Sequence, residues 1–97
     1  MKIVYAPRAL RNIGEILEYI HTRSPSGARN VSPAIEHSIR ACGLAPRAGG
    51  RTDEPGVYRR PLGKYHYTVF YRPQGDGSEV VRVAHSARVR RLTSVPD

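Results

Sequence analysis

Apolar residues along this chain recur at two different periods, and the change of period divides it into helical and extended parts. Lys2-Ile3-Val4-Tyr5 is a short strand closed by Ala6-Pro7, and Pro7 suits the first position of a helix, where its missing N–H is not needed. From there Leu10, Ile13, Ile16, Leu17 and Ile20 fall on one helical face, with Arg8, Arg11, Glu15 and Glu18 opposite. Ser24 and Pro25 then predict an N-cap and first position for a second helix, whose apolar stripe is Val31, Ile35, Ile39 and Cys42, flanked by Ala34 and Ser38. Pro33 interrupts that stripe. Either the helix continues past it with a kink, which is the expectation here, or Ser32-Pro33 is its true start.

Gly43 to Gly56 holds four glycines, Pro46 and Pro55, and reads as a loop. Beyond it the period becomes two. Tyr65, Tyr67, Val69 and Tyr71 share one face, while His66, Thr68, Phe70 and Arg72 share the other. Pro73 to Gly77 supplies a turn in which Gly75 and Gly77 are free to take positive φ, and Val80 to His85 forms the returning strand. The order is thus strand, helix, helix, three strands. It predicts an α+β fold with two helices on one face of a small, mainly antiparallel sheet. The opposite face is expected to be bare.

Composition narrows the partner. With 97 residues the chain is long enough for one domain, residues 1–97, and one modest core. A net charge of +8 favours an acidic partner, and from Arg59 to the C-terminus eight Lys/Arg stand against three Asp/Glu. No apolar run reaches the roughly 20 residues of a membrane span. A single cysteine excludes an internal disulfide framework, and one Cys with four scattered histidines offers no metal-ligand spacing. No cofactor motif is present. The N-terminus lacks a signal-peptide core, so the expected location is cytoplasmic.

Several stretches, in order, resemble the RelE/ParE superfamily of type II toxin–antitoxin modules. They are A-L-x-x-I-x-x-I-x-x-Y-I from Ala9 to Ile20, Ser24-Pro25 with Ala28, and Leu44-Ala45-Pro46-x-x-G running to Arg51. V-Y-R-R-P-L-G-K-Y-H-Y-T-V-F-Y-R from Val57 and V-V-R-V-A-H-S-A-R from Val80 complete the set. The resemblance implies one of two actions. RelE-like members cleave mRNA on the ribosome; ParE-like members poison DNA gyrase and are not known as enzymes. The ending His85-Ser86-Ala87-Arg88, with no tyrosine after Tyr71, resembles the ParE-like branch.

On that reading a cognate ParD-like antitoxin covers Leu10, Ile13, Leu17, Arg72 and Arg82 in a hetero-oligomer, while Arg60, Arg88, Arg90 and Arg91 meet gyrase, and nothing is catalytic. The alternative is an endoribonuclease using Arg59, Lys64, His85 and Arg88, with His85 moving the proton and the basic groups holding phosphate. A third reading, a basic binding module without toxicity, rests on Pro33 and Pro61 as unusual residues within their elements.

Overall fold

The structure is a computed structural model and describes residues 2–62 and 65–85. Two helices cover one face of a five-stranded mixed sheet. In chain order the elements are β1 (Ile3–Tyr5), α1 (Pro7–Arg23), α2 (Pro25–Leu44), β2 (Gly50–Arg51), β3 (Tyr58–Pro61), β4 (Tyr67–Gln74) and β5 (Gly77–His85). The sheet order is β1-β5-β4-β3-β2, with β1 parallel to β5 and every other pair antiparallel. The α+β architecture read from the sequence is therefore the observed one, with one addition. The segment expected to be a plain loop lends its first two residues to α2 and contributes the two-residue strand β2.

Ser24 caps α2, its Oγ accepting the N–H of Gly27 at 3.1 Å, and Pro25 takes the first turn. The helix thus starts well before Pro33 and runs through it. Pro33 is exposed, so the carbonyl of Arg29 that it leaves without a helical donor lies on the solvent side of α2. Pro61 is accommodated by a similar placement. Leu62 donates its N–H to Tyr67 on β4, so by alternation the nitrogen of Pro61 points to the outer edge, beyond the end of β2.

The main core lies between helices and sheet. Val31, Ile35, Ile39 and Cys42 of α2 pack on Val69, Tyr71, Val80 and Val83, with Ala9 as the fully buried residue of α1. Val80 and Val83 both face the helices although they are three residues apart, a separation that an unbroken strand would send to opposite faces. A bulge resolves this. Phe70 stands opposite Arg82 and Tyr71 opposite Val80, which leaves Val81 as the extra residue.

The far face is not bare. Phe70 is completely buried there in a second small cluster with Val57, Val81 and Ala84. The sequence pattern assigned Phe70 to that side correctly but gave no sign of what covers it.

The β4–β5 turn also differs in detail. Gly75 takes φ +60°, as a tight turn demands, whereas Gly77 does not have positive φ. Gly77 serves close approach instead. A Cβ at that position would lie 1.7 Å from the carbonyl oxygen of Lys2, where β1 meets β5.

Candidate functional site

Three surfaces of the molecule carry the residues of interest, and they differ in chemistry. The first is an apolar groove on the outer side of the α1–α2 pair. Tyr5, Leu10, Ile13, Leu17, Ile35 and Ile39 line a cleft of about 270 Å³, with Glu36 at its rim. It continues past Leu17 and Ser32 into a second cleft of about 470 Å³ beside Pro25, Ala28 and Arg29. Leu10 is 57% exposed here, so part of the α1 stripe faces solvent and not the core of this chain. The groove arises because α1 carries more apolar surface than the sheet can cover. Ala9 takes the innermost position, and the larger Leu10 is turned outward.

The second surface lies where α1 passes the end of β5. Asn12, Glu15, Tyr19, Tyr67, Val83 and His85 line a recess of about 220 Å³. His85 meets the edge of the Tyr67 ring at 5.4 Å and stacks on His66 at 6.0 Å. Burial raises the Tyr67 hydroxyl above its usual range, and nearby Tyr19 adds to this. Asn12 is a residue that the apolar pattern passed over. Its Oδ1 accepts the backbone N–H of Val83, on the part of the β5 edge that β1 does not reach. Its spacing from Ala9 and Ile16 (i, i+3, i+7) is the signal that places it on the inward side.

The third surface is the far face of the sheet. Arg59, Phe70 and Arg82 form one row across β3, β4 and β5. The guanidinium carbon of Arg82 sits 4.0 Å from the centre of the Phe70 ring, and this cation–π contact helps seal the aromatic from water. Arg72, on the same face, is paired with Glu79 at 2.6 Å (Nε to Oε1).

The sheet consequently sorts the sequence-derived candidates. Arg59 is on the far face, whereas Arg60 faces the helices with Val69 and Tyr71. The Nε of Arg60 is buried and, among the described residues, has no hydrogen-bond partner. Its charge acts on the Cys42 thiol, which burial pushes up to about 11 and Arg60 draws partly back. Burial likewise raises the Tyr71 hydroxyl, countered in part by the N–H that Gly49 donates to it at 3.0 Å.

His85 is opposite Tyr67 and therefore on the helix side. Of the four residues considered for ribonuclease chemistry, the two that are described, Arg59 and His85, do not meet. Leu10, Ile13 and Leu17 come together in the groove, but Arg72 and Arg82 lie across the sheet from them. Lys64, Arg88, Arg90 and Arg91 fall outside the described residues. Among the described residues no group of three His, Cys, Asp or Glu side chains is placed to hold a metal, and no helix is long and apolar enough to cross a membrane.

The fold is shared with a solved structure, the chromosomal ParDE TA system from P. aeruginosa. The TM-score is 0.76 at 18% identity, over 88% of this chain and 95% of that one. No match was found among curated protein sequences. Residues 3–90 match the family model described as "ParE toxin of type II toxin-antitoxin system, parDE". With nearly its whole length matched and the two-helix, five-stranded fold in place, the chain belongs to the ParE toxin family of type II toxin–antitoxin systems.

Proposed function

We propose that this protein is a cytoplasmic toxin that acts on DNA gyrase without chemistry of its own, and that a ParD-like antitoxin silences it by occupying the α1–α2 groove. The observation that carries the reading is the separation of chemistry from binding surface. Arg59 and His85, the described candidates for phosphate anchor and proton carrier, stand on opposite faces of the sheet. General acid–base catalysis needs such groups within hydrogen-bond reach of one substrate. The groove, in contrast, has the form that an amphipathic helix fills, with Leu10, Ile13 and Leu17 spaced to receive anchors at i, i+3 or i+4, and i+7.

An antitoxin segment that folds as it binds would cover the exposed part of Leu10, and the +8 charge of the toxin would hasten its arrival at low salt. Of the four arginines assigned to the target, Arg60 faces the helices with its Nε buried, which leaves Arg88, Arg90 and Arg91 for that role. Arginine's planar, permanently charged fork suits carboxylate or phosphate recognition.

The test adds purified toxin to gyrase and plasmid DNA, and separately to translating ribosomes. Gyrase-dependent DNA cleavage that the antitoxin suppresses, and that Arg88→Ala/Arg90→Ala/Arg91→Ala abolishes, is the expected result. Ribosome-dependent cutting of mRNA, lost in a folded His85→Ala variant, would replace this reading with the ribonuclease one.

A further inference from the structure

We infer that the far face of the sheet is a docking surface for the phosphate backbone of duplex DNA, held by Arg59 and Arg82. The two faces of the sheet leave different chemistry uncompensated. On the helix side the α1–α2 groove leaves apolar surface open, as a protein partner requires. On the far side Phe70 and Val57 are buried, and the guanidinium of Arg82 lies over the Phe70 ring.

The two arginines differ from their neighbour. Arg72 is neutralised by Glu79, whereas no acidic partner is found for Arg59 or Arg82 among the described residues. Both are held in place by packing on a neighbouring strand. Arg82 lies over Phe70 on β4, and Arg59 lies across β2, its Nε 3.4 Å from where a Cβ of Gly50 would be. The two heads thus sit over strands two places apart in the sheet, about 10 Å at the usual interstrand spacing.

One small carboxylate cannot span that distance. A polyanion with charges repeated along a stiff backbone can, since ~10 Å is about three steps of ~3.4 Å along one strand of a duplex. Two further features select the occupant. Protein interfaces are built around apolar or aromatic anchors, and this face has sealed its own away. Single-stranded nucleic acid is gripped by stacking bases on open aromatic rings, and the one ring in this row is fully buried under Arg82. Backbone contact to a duplex, indifferent to sequence, is what the row can make. The inference is independent of the groove: it concerns the opposite face and a different partner.

The experiment measures binding of antitoxin-free toxin to a fluorescent duplex of about 20 base pairs across a salt series. Arg59→Met/Arg82→Met removes both charges while keeping an unbranched cover over Phe70, and Arg8→Ala/Arg11→Ala removes the same charge from exposed positions on α1. Thermal melting and antitoxin binding establish that each variant is folded. The far-face pair should lower the slope of log affinity against log salt by about 1.8, and weaken binding at least tenfold at about 50 mM salt. The α1 pair should leave both nearly unchanged. Equal losses in the two variants would mean diffuse attraction to net charge and would overturn the proposal. So would a folded toxin that ignores the duplex, or one that prefers polyglutamate to DNA at equal charge.

Discussion

The carboxamide of Asn12 and the backbone of Val83 are joined by a hydrogen bond of 3.1 Å across 71 residues of sequence. It closes a donor on the edge of β5 that β1, which reaches only to Val80, leaves open. Asn12→Ala should therefore leave the Val83 N–H without a protein partner and destabilise the fold by about 1–3 kcal/mol. Asn12→Asp preserves an acceptor and should cost less, a ranking that chemical denaturation of the two variants checks.

The groove can be separated from stability by substitution at its most exposed residue. Leu10→Asp should melt within a few degrees of the parent, because Leu10 is 57% exposed. It should nevertheless impair antitoxin binding at least tenfold, because a charge is placed against an apolar segment. Calorimetric titration with the antitoxin is the measurement. Unchanged affinity would remove the groove from the interface.

Two glycines predict opposite outcomes for the same change. Among the described residues nothing lies within 4 Å of a Cβ built on Gly14, in the exposed middle of α1, so Gly14→Ala should stabilise by about 1 kcal/mol through helix propensity. Gly77→Ala drives a methyl into the Lys2 backbone. It should dislodge β1 and cost several times as much, in the range of overpacked cores. Parallel thermal melts of the two variants decide it.

Alkaline pH should weaken the fold through Cys42. Burial raises its thiol from an ordinary value near 9 to about 11. Between those values the unfolded chain has lost its proton while the native chain retains it. Stability should then fall as pH rises through that window, by up to roughly 1.4 kcal/mol per unit, and be fully present below it. Tyr67 and Tyr71, also raised, act in the same direction at somewhat higher pH. Cys42→Ala should flatten the lower part of the decline, as read from denaturation midpoints across the pH series.

The helices and the β4–β5 hairpin were legible because burial at a regular period leaves a trace in residue type: Val31, Ile35, Ile39 and Cys42 all prove buried. Arg59 and Arg60 show where that trace fades. Adjacent and chemically alike, they go to opposite faces, and only the register with Phe70 and Val69 assigns them. The bulge at Val81 was invisible for a related reason, because a run of V-V-R-V fits several registers equally well. Ala9 lay outside the apolar stripe read from the sequence, yet it is the fully buried residue of α1, while Leu10 is 57% exposed. The helix approaches the sheet closely enough that the smaller residue takes the inner position.

The parallel pairing of β1 with β5 has a consequence in time. Ile3 to Tyr5 meet Ser78 to Val80, so the first strand to leave the ribosome waits for the last before it finds its neighbour. At synthesis rates of about 5–20 residues per second the wait amounts to several seconds. During it the α1–α2 pair has no completed sheet to cover, and its apolar surface is open on both sides. A binding partner already present in the cell would meet this toxin as an unfinished chain, before it is able to act on anything.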